Sequence, residues 1–129
     1  MDLEQLRKFF LSKPGAVETF PFDPVTLVLK VGRKMFALVS LDESPTRINL
    51  KGDPNDNEIL RQQFPAIIPS YHMNKLHWNT LILDGSLPDE LILDQIDTSY
   101  RLVFDSLPQS FRNNFQPTEG QKKNPDQKT

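Results

Sequence analysis

The chain contains no cysteine among its 129 residues. That absence excludes disulfide bonds, thiolate metal sites and cysteine nucleophiles, and it agrees with a reducing compartment. Long apolar runs are also missing: the run Leu27–Leu29 is far shorter than the roughly 20 residues that span a bilayer. The opening residues 1–5 lack the basic start of a secretory signal peptide. We therefore expect a cytoplasmic protein with no membrane partner.

An excess of positive charge is missing as well. The formal net charge is −2, so the whole molecule lacks the basic character of a strong nucleic-acid binder, and only a local basic patch could serve that role. The five glycines do not form a phosphate-binding or dinucleotide-binding pattern. No serine stands in a Gly-x-Ser-x-Gly elbow. We expect a protein that is not an enzyme and holds no cofactor.

Two regions of the chain have the apolar spacing of helices. Asp2 followed by Gln5 predicts a capped first helix, which Lys13-Pro14-Gly15 ends. Ser86 is predicted to cap the last helix, which Pro108 ends. Apolar residues recur in that helix every three or four positions, at Ile92, Ile96, Tyr100, Val103 and Leu107. This spacing predicts a helix that packs along its whole length.

The middle of the chain is rich in strand patterns. Strands are predicted at residues 17–20, 26–31, 35–40, 46–51 and 78–83, with a hairpin turn at Gly32-Arg33-Lys34. A short helix should open at Asp53-Pro54 and bury Ile59, Leu60 and Phe64. Strands between terminal helices predict an α+β domain, with helices on one face of an antiparallel sheet. Residues 1–112 are assigned to this single domain, and residues 113–129 to a polar, disordered C-terminal tail.

Residues 68–80 hold an unusual concentration of hydrogen-bonding side chains. Both histidines, His72 and His77, lie here with Asn74, Lys75 and Asn79. The histidines are five residues apart, and neither cysteine nor a nearby carboxylate completes a ligand set before Asp84. We therefore expect no metal site, and we interpret the segment as a polar binding surface.

Basic residues suggest two ways in which that surface could bind an anion. Cations near the predicted hairpin, Lys30, Arg33 and Lys34, could meet phosphates, as could the strand residues Arg47 and Lys51. Alternatively, a pocket for a small anionic ligand could draw on both regions, through Arg47, Asn49, Lys51, His72, Asn74, Lys75 and Asn79. Acidic residues in neighbouring loops would oppose a large nucleic-acid footprint.

Several short motifs together resemble the MmcQ/YjbR family. They are Lys34-Met-Phe-Ala-Leu38, Arg47-Ile-Asn-Leu-Lys51, Pro69-Ser-Tyr-His-Met-Asn-Lys75, His77-Trp-Asn-Thr80 and Asp84-Gly-Ser-Leu-Pro-Asp89. The likeness covers residues 1–112. It implies a fold similar to bacterial frataxin (CyaY) and DNA binding through a double wing of β-hairpins. The first helix has Arg7 and Lys8 beside Asp2 and Glu4, so it lacks the acidic ridge of frataxin-like iron donors.

Three function classes therefore stay open. The first is a DNA-binding protein that contacts phosphates with basic hairpin wings, at Lys30, Arg33, Lys34, Lys51 and Lys75. The second is a small anionic-ligand domain that uses the polar segment, including His77. The third is a protein-interaction module. The sequence does not determine the oligomeric state.

Overall fold

The computed structural model describes residues 1–115, which form one α+β unit. Its helices are α1 (Leu3–Leu11), α2 (Pro54–Gln63), α3 (Asp89–Asp105) and α4 (Gln109–Arg112), followed by a 3-10 turn at Asn113–Phe115. Its strands are β1 (Ala16–Thr19), β2 (Thr26–Val31), β3 (Lys34–Ser40), β4 (Arg47–Lys51), β5 (Ile67–Pro69) and β6 (Trp78–Ile82). The predicted α+β class is confirmed.

The six strands form one sheet in the order β1-β2-β3-β4-β6-β5, and every neighbouring pair is antiparallel. The helices pack on one face, which we call the inner face. Phe36 lies on it, with its ring 6.0 Å from that of Phe10 in α1 and 5.3 Å from that of Tyr100 in α3. The other face carries no helix from residues 1–115, and we call it the free face.

Local signals explain both terminal helices. Asp2 accepts a hydrogen bond from the backbone of Gln5, and the Gln5 side chain accepts one from the backbone of Asp2. This predicted capping box is confirmed. In α3, Ile92, Ile96, Tyr100 and Val103 are buried, and Leu107 is buried just beyond its end, which confirms the predicted packing face.

Two predicted details of the helices are wrong. Ser86 does not cap α3: its backbone and hydroxyl both donate to Asp84, and the helix begins only at Asp89, after Pro88. Ile59 is not on the buried side of α2, because 51% of it is exposed. The buried residue of α2 is the polar Asn57.

The end of the described chain extends past the predicted domain boundary. Asn113–Phe115 falls in the segment assigned to the tail, yet the Phe115 ring lies 5.1 Å from that of Phe111. The rest of the predicted tail, residues 116–129, lies outside the described residues. No helix within residues 1–115 is long and apolar enough to cross a membrane.

Tyr100 makes the stability of this core depend on pH. It is 8% exposed, and its hydroxyl donates to the carbonyl of Pro14 at 2.5 Å. Burial, with a smaller effect of the charge on Asp105, raises the pKa of Tyr100 from 10.0 to about 12. Since the pKa is higher in the folded state, this contribution to stability is complete below pH 10 and is lost as the pH rises towards 12.

We expect the free energy of unfolding to fall less steeply between about pH 10 and pH 12 in Tyr100→Phe than in the wild type. Chemical denaturation across that range measures the difference. Tyr71→Phe is the matched control, because 63% of Tyr71 is exposed, and it should follow the wild-type curve. Identical pH dependence in Tyr100→Phe and the wild type would contradict the assignment.

Candidate nucleic-acid interface

Charge is segregated along the strands. The end of the sheet that contains the β2–β3 turn gathers Lys30, Arg33, Lys34, Lys51 and Lys75, and we call these five residues the basic end. The loops at the opposite end carry Asp23, Asp42, Glu43 and Asp84, the acidic end. Asp53 and Asp56 at the start of α2 directly follow β4 and therefore lie on the side of the basic end. Antiparallel pairing produces this arrangement, since it brings alternate connections to the same end of a sheet. A chain of net charge −2 thus presents a local basic surface.

Hydrogen bonds keep two residues of the acidic end charged. Asp23 accepts from the backbone of Val25 and from Thr26, and these bonds hold its pKa below the ordinary value. Asp84 accepts from the hydroxyl and the backbone of Ser86, which likewise lowers its pKa. Both carboxyl groups therefore stay ionised at neutral pH, and the charge difference between the two ends persists.

The β2–β3 turn is short and is braced by α3. Val31 pairs with Lys34, so only Gly32 and Arg33 form the turn, and Gly32 has the positive φ of 63° that a type II′ turn needs at this position. The amino group of Lys34 donates to the Ser106 hydroxyl at 3.0 Å. A Cβ at Gly32 would lie 3.1 Å from a methyl carbon of Leu107. The turn is therefore fixed in place, with Arg33 and Lys34 exposed on it.

The connection between β5 and β6, residues 70–77, is anchored at the same end of the sheet. Asn74 holds its shape: its side chain accepts from the backbone of Leu76, and its carbonyl accepts from the backbones of His77 and Trp78. Arg61 of α2 donates to the carbonyl of Lys75 at 2.9 Å. Asn74 thus has a structural role, whereas the Lys75 side chain is exposed, 5.4 Å from the centre of the Tyr71 ring.

Lys51 lies between these two connections. Alternation along β4 directs Arg47, Asn49 and Lys51 away from the buried Ile48 and Leu50, and so towards the free face. Lys51 pairs with Trp78, while its backbone donates to the hydroxyl of Ser99 in α3. The predicted grouping of these three β4 side chains on one face of the strand is confirmed.

The anion pocket predicted from seven residues does not form as one site. Asn79 pairs with the inward-facing Leu50, is 2% exposed, and donates to the carbonyl of Asn57 on the inner face. Its Oδ1 has no hydrogen-bond partner among residues 1–115. Arg47 lies towards the acidic end, 3.1 Å from Glu43. The two histidines also separate: His72 lies over the free face beside Asn49, whereas His77 adjoins Gly52.

Sequence reasoning missed two residues of the free face. Ser70 and Thr80 are 2% and 7% exposed, and both hydroxyls contact Oδ1 of Asn49. Alternation along β6 could have indicated Thr80, which lies on the opposite face from Asn79. Within residues 1–115, no three histidine, aspartate or glutamate side chains are grouped so that they could hold a metal ion.

Fold and surface together define a class of small α+β proteins whose antiparallel sheet keeps one face free of helices. A family model described as YjbR matches residues 11–102. The uncharacterized protein YjbR of Escherichia coli K12 is 38% identical over 112 residues, which are 87% of this chain and 95% of that protein. The uncharacterized protein YbdF of Escherichia coli O157:H7 is 36% identical over 104 residues, 81% of this chain and 85% of that protein. The chain belongs to the YjbR family, as its motifs implied.

Two solved structures share the fold. The crystal structure of Deinococcus radiodurans protein DR2400, assigned to the domain family DUF419, is similar with a TM-score of 0.84 and 40% identity, and the match covers 95% of both chains. A crystal structure of a protein from Pseudomonas syringae is similar with a TM-score of 0.70 and 28% identity, over 80% of this chain and 99% of that one. The chain therefore shares its α+β fold with both of these proteins.

Proposed function

We propose that this protein is a non-enzymatic DNA-binding module that contacts phosphates through its basic end. The observation that carries the proposal is the segregation of charge along the strands. Five cations lie at one end together with Asp53 and Asp56 of the α2 start, while Asp23, Asp42, Glu43 and Asp84 lie in loops at the other. Clustered cations attract the phosphate backbone even when net charge is negative, because the local potential decides the encounter.

In this proposal the two wings are the β2–β3 turn and the β5–β6 connection. The first presents Arg33 and Lys34, the second presents Lys75 with His77 nearby, and Lys51 lies between them. Both wings are held by contacts to helices, α3 for the first and α2 for the second. A rigid pair of cationic edges would bind without first ordering flexible loops, which lowers the entropy cost of binding.

Binding of this kind should be weak and should depend strongly on salt. With two to five phosphate contacts, the slope of log affinity against log salt concentration should be about −2 to −4. Fluorescence anisotropy with labelled duplex and single-stranded DNA, measured at several salt concentrations, gives this slope. No binding to either DNA at low salt would overturn the proposal.

A pair of matched variants tests the site. Arg33→Ala with Lys34→Ala should weaken DNA binding and flatten the salt slope by about one to two units. The control is Lys8→Ala with Arg101→Ala, which removes the same charge from exposed positions on helices. Both double variants should keep their stability within about 0.5 kcal/mol of the wild type for each exposed substitution. Equal losses of affinity in the two double variants would mean that only net charge matters.

A further inference from the structure

A cleft lies on the free face, on the side of the molecule away from the helices. It consists of two adjoining cavities of about 340 and 140 Å³. Both are lined by Ser40, Asn49 and His72, so these three residues mark the junction between them. The larger cavity exceeds the ~150 Å³ of a cavity that holds benzene, so a small organic molecule has room there.

The larger cavity has a mainly apolar wall. Leu38 and Met35 of β3 form its floor, Met73 of the 70–77 connection covers it, and Phe22 stands at its rim. Phe22 is 65% exposed, a large apolar surface left in water. Methionine side chains adapt to the shape of a ligand, so this wall suits a short alkyl chain or a ring.

The junction, in contrast, presents a hydrogen-bond donor, the side-chain amide of Asn49. The Ser70 hydroxyl donates to Oδ1 of Asn49 at 3.1 Å, and the Thr80 hydroxyl donates to the same oxygen. Because two buried hydroxyls engage this oxygen, the amide plane of Asn49 is fixed. Its Nδ2 group makes no hydrogen bond to residues 1–115 and does not belong to the buried side-chain atoms that lack a partner, so water can reach it. It is therefore a pre-oriented donor that is open to a ligand oxygen.

The smaller cavity is lined by a cationic side chain, that of Arg47. Arg47 contributes Nε to an ion pair with Glu43 at 3.1 Å, and both side chains are partly exposed, at 40% and 48%. Both residues line this cavity. An exposed pair of this kind contributes little stability, about 0–1 kcal/mol, so a competing carboxylate can exchange with Glu43 at small cost.

We propose that this cleft binds a small amphipathic monocarboxylate. Its carboxylate accepts from Asn49 Nδ2 and from Arg47, and its apolar body lies on Leu38, Met35 and Met73. Arg47 supplies one positive charge when it leaves Glu43, and this suits the single charge of a carboxylate better than the two of a phosphate monoester. The carboxylate of Glu43 acts as an internal competitor for Arg47. This site is distinct from the basic end.

The probes are octanoate and hydrocinnamate, with octanamide as the neutral counterpart of octanoate. Titration of the full chain, followed by nitrogen–proton and methyl correlation spectra, should shift the Asn49 side-chain amide and the methyl groups of Leu38 and Met73. For about ten heavy atoms, affinity on the order of 1 mM is expected. Octanamide should bind at least about tenfold more weakly, since it lacks the charge that Arg47 recognises.

Two substitutions in the cleft give opposite expectations. Asn49→Asp keeps an oxygen for Ser70 and Thr80 but replaces the donor with a negative oxygen, and it should weaken octanoate binding at least about tenfold. Glu43→Gln removes the carboxylate that competes for Arg47 and should tighten octanoate binding about two- to fivefold. The basic-end variant Arg33→Ala with Lys34→Ala should bind octanoate as the wild type does, whatever its DNA affinity.

The proposal is overturned by any of three results: wild-type affinity in Asn49→Asp, equal binding of octanamide and octanoate, or shifts that avoid the cleft and spread over exposed apolar residues elsewhere. No shift with either carboxylate at tens of millimolar, a concentration well above the expected value of about 1 mM, also overturns it. Should Asn49→Asp fail to fold, Arg47→Gln decides instead, with an expected loss of about tenfold.

Discussion

Replacing Ile96 with alanine is expected to lower the free energy of unfolding by about 2–5 kcal/mol. Ile96 lies in the middle of α3 and is 0% exposed, packed between the helix and the sheet. Truncation removes apolar contacts and leaves a cavity that the antiparallel strands cannot close by a small shift. Denaturant unfolding of the wild type and the variant measures the loss as a lower midpoint with an unchanged slope.

A second position on the same helix provides the control. Leu102 is 40% exposed, so Leu102→Ala should cost clearly less than Ile96→Ala, although both substitutions remove comparable apolar groups from α3. Similar costs at both positions would mean that helix propensity, rather than burial against the sheet, determines the loss.

The sequence predicts α3 well because its signal is long and redundant. Four buried apolar residues of the helix, together with Leu107 just beyond it, follow helical spacing. The first helix is predicted from its capping box, in which two side chains and two backbone groups satisfy each other locally. Both signals depend on residues that are close in the chain.

The buried side of helix α2 is harder to predict from the sequence because it is polar. Its pattern pointed to Ile59, yet Ile59 is 51% exposed and Asn57 is 1% exposed. Asn57 tolerates burial because its amide donates to carbonyls of Gly52 and Leu76, which come from a strand end and a loop. Hydrophobic periodicity contains no information about partners that distant in the chain.

The residues of the candidate sites differ in the same way: some are placed by their own strand, and others by the pairing of strands that are distant in the chain. Alternation within β4 was sufficient to place Arg47, Asn49 and Lys51 on one face, since it is a property of one strand. The position of Asn79 depended on which strand lies beside β4 and in which register, and the pairing of Leu50 with Asn79 puts it on the inner face. Thr80 joins Asn49 through the same pairing of β4 with β6, and Ser70, which follows β5, also requires the pairing of β5 with β6.

The contact between Gly52 and Asn57 links α2 to the proposed wing. A Cβ on Gly52 would lie 2.3 Å from Oδ1 of Asn57, closer than real side chains approach. Gly52 does not have a positive φ, so this requirement for glycine is steric rather than conformational. The same Asn57 amide donates to Leu76 in the 70–77 connection, at 3.3 Å, and the backbone of Gly52 donates to His77 at 2.9 Å.

Gly52→Ala is therefore expected to cost about 2–4 kcal/mol, because it overpacks a buried site and displaces a satisfied polar side chain. Exchange of the backbone amide at position 52 should accelerate, since this amide donates to the carbonyl of His77 and that anchor of the connection is disturbed. Gly85→Ala is the matched control: Gly85 has a φ of 92° with nothing within 4 Å of its Cβ position, so alanine there costs only backbone strain of about 1–2 kcal/mol.

A double-mutant cycle isolates the contact itself. Asn57→Ala removes the atom that the new Cβ would meet, so Gly52→Ala should cost at least about 1 kcal/mol less in that background than in the wild type. Gly85→Ala should cost the same in both backgrounds. If the two substitutions at Gly52 and Asn57 are additive, the clash between the new Cβ and Asn57 does not determine the need for glycine at position 52.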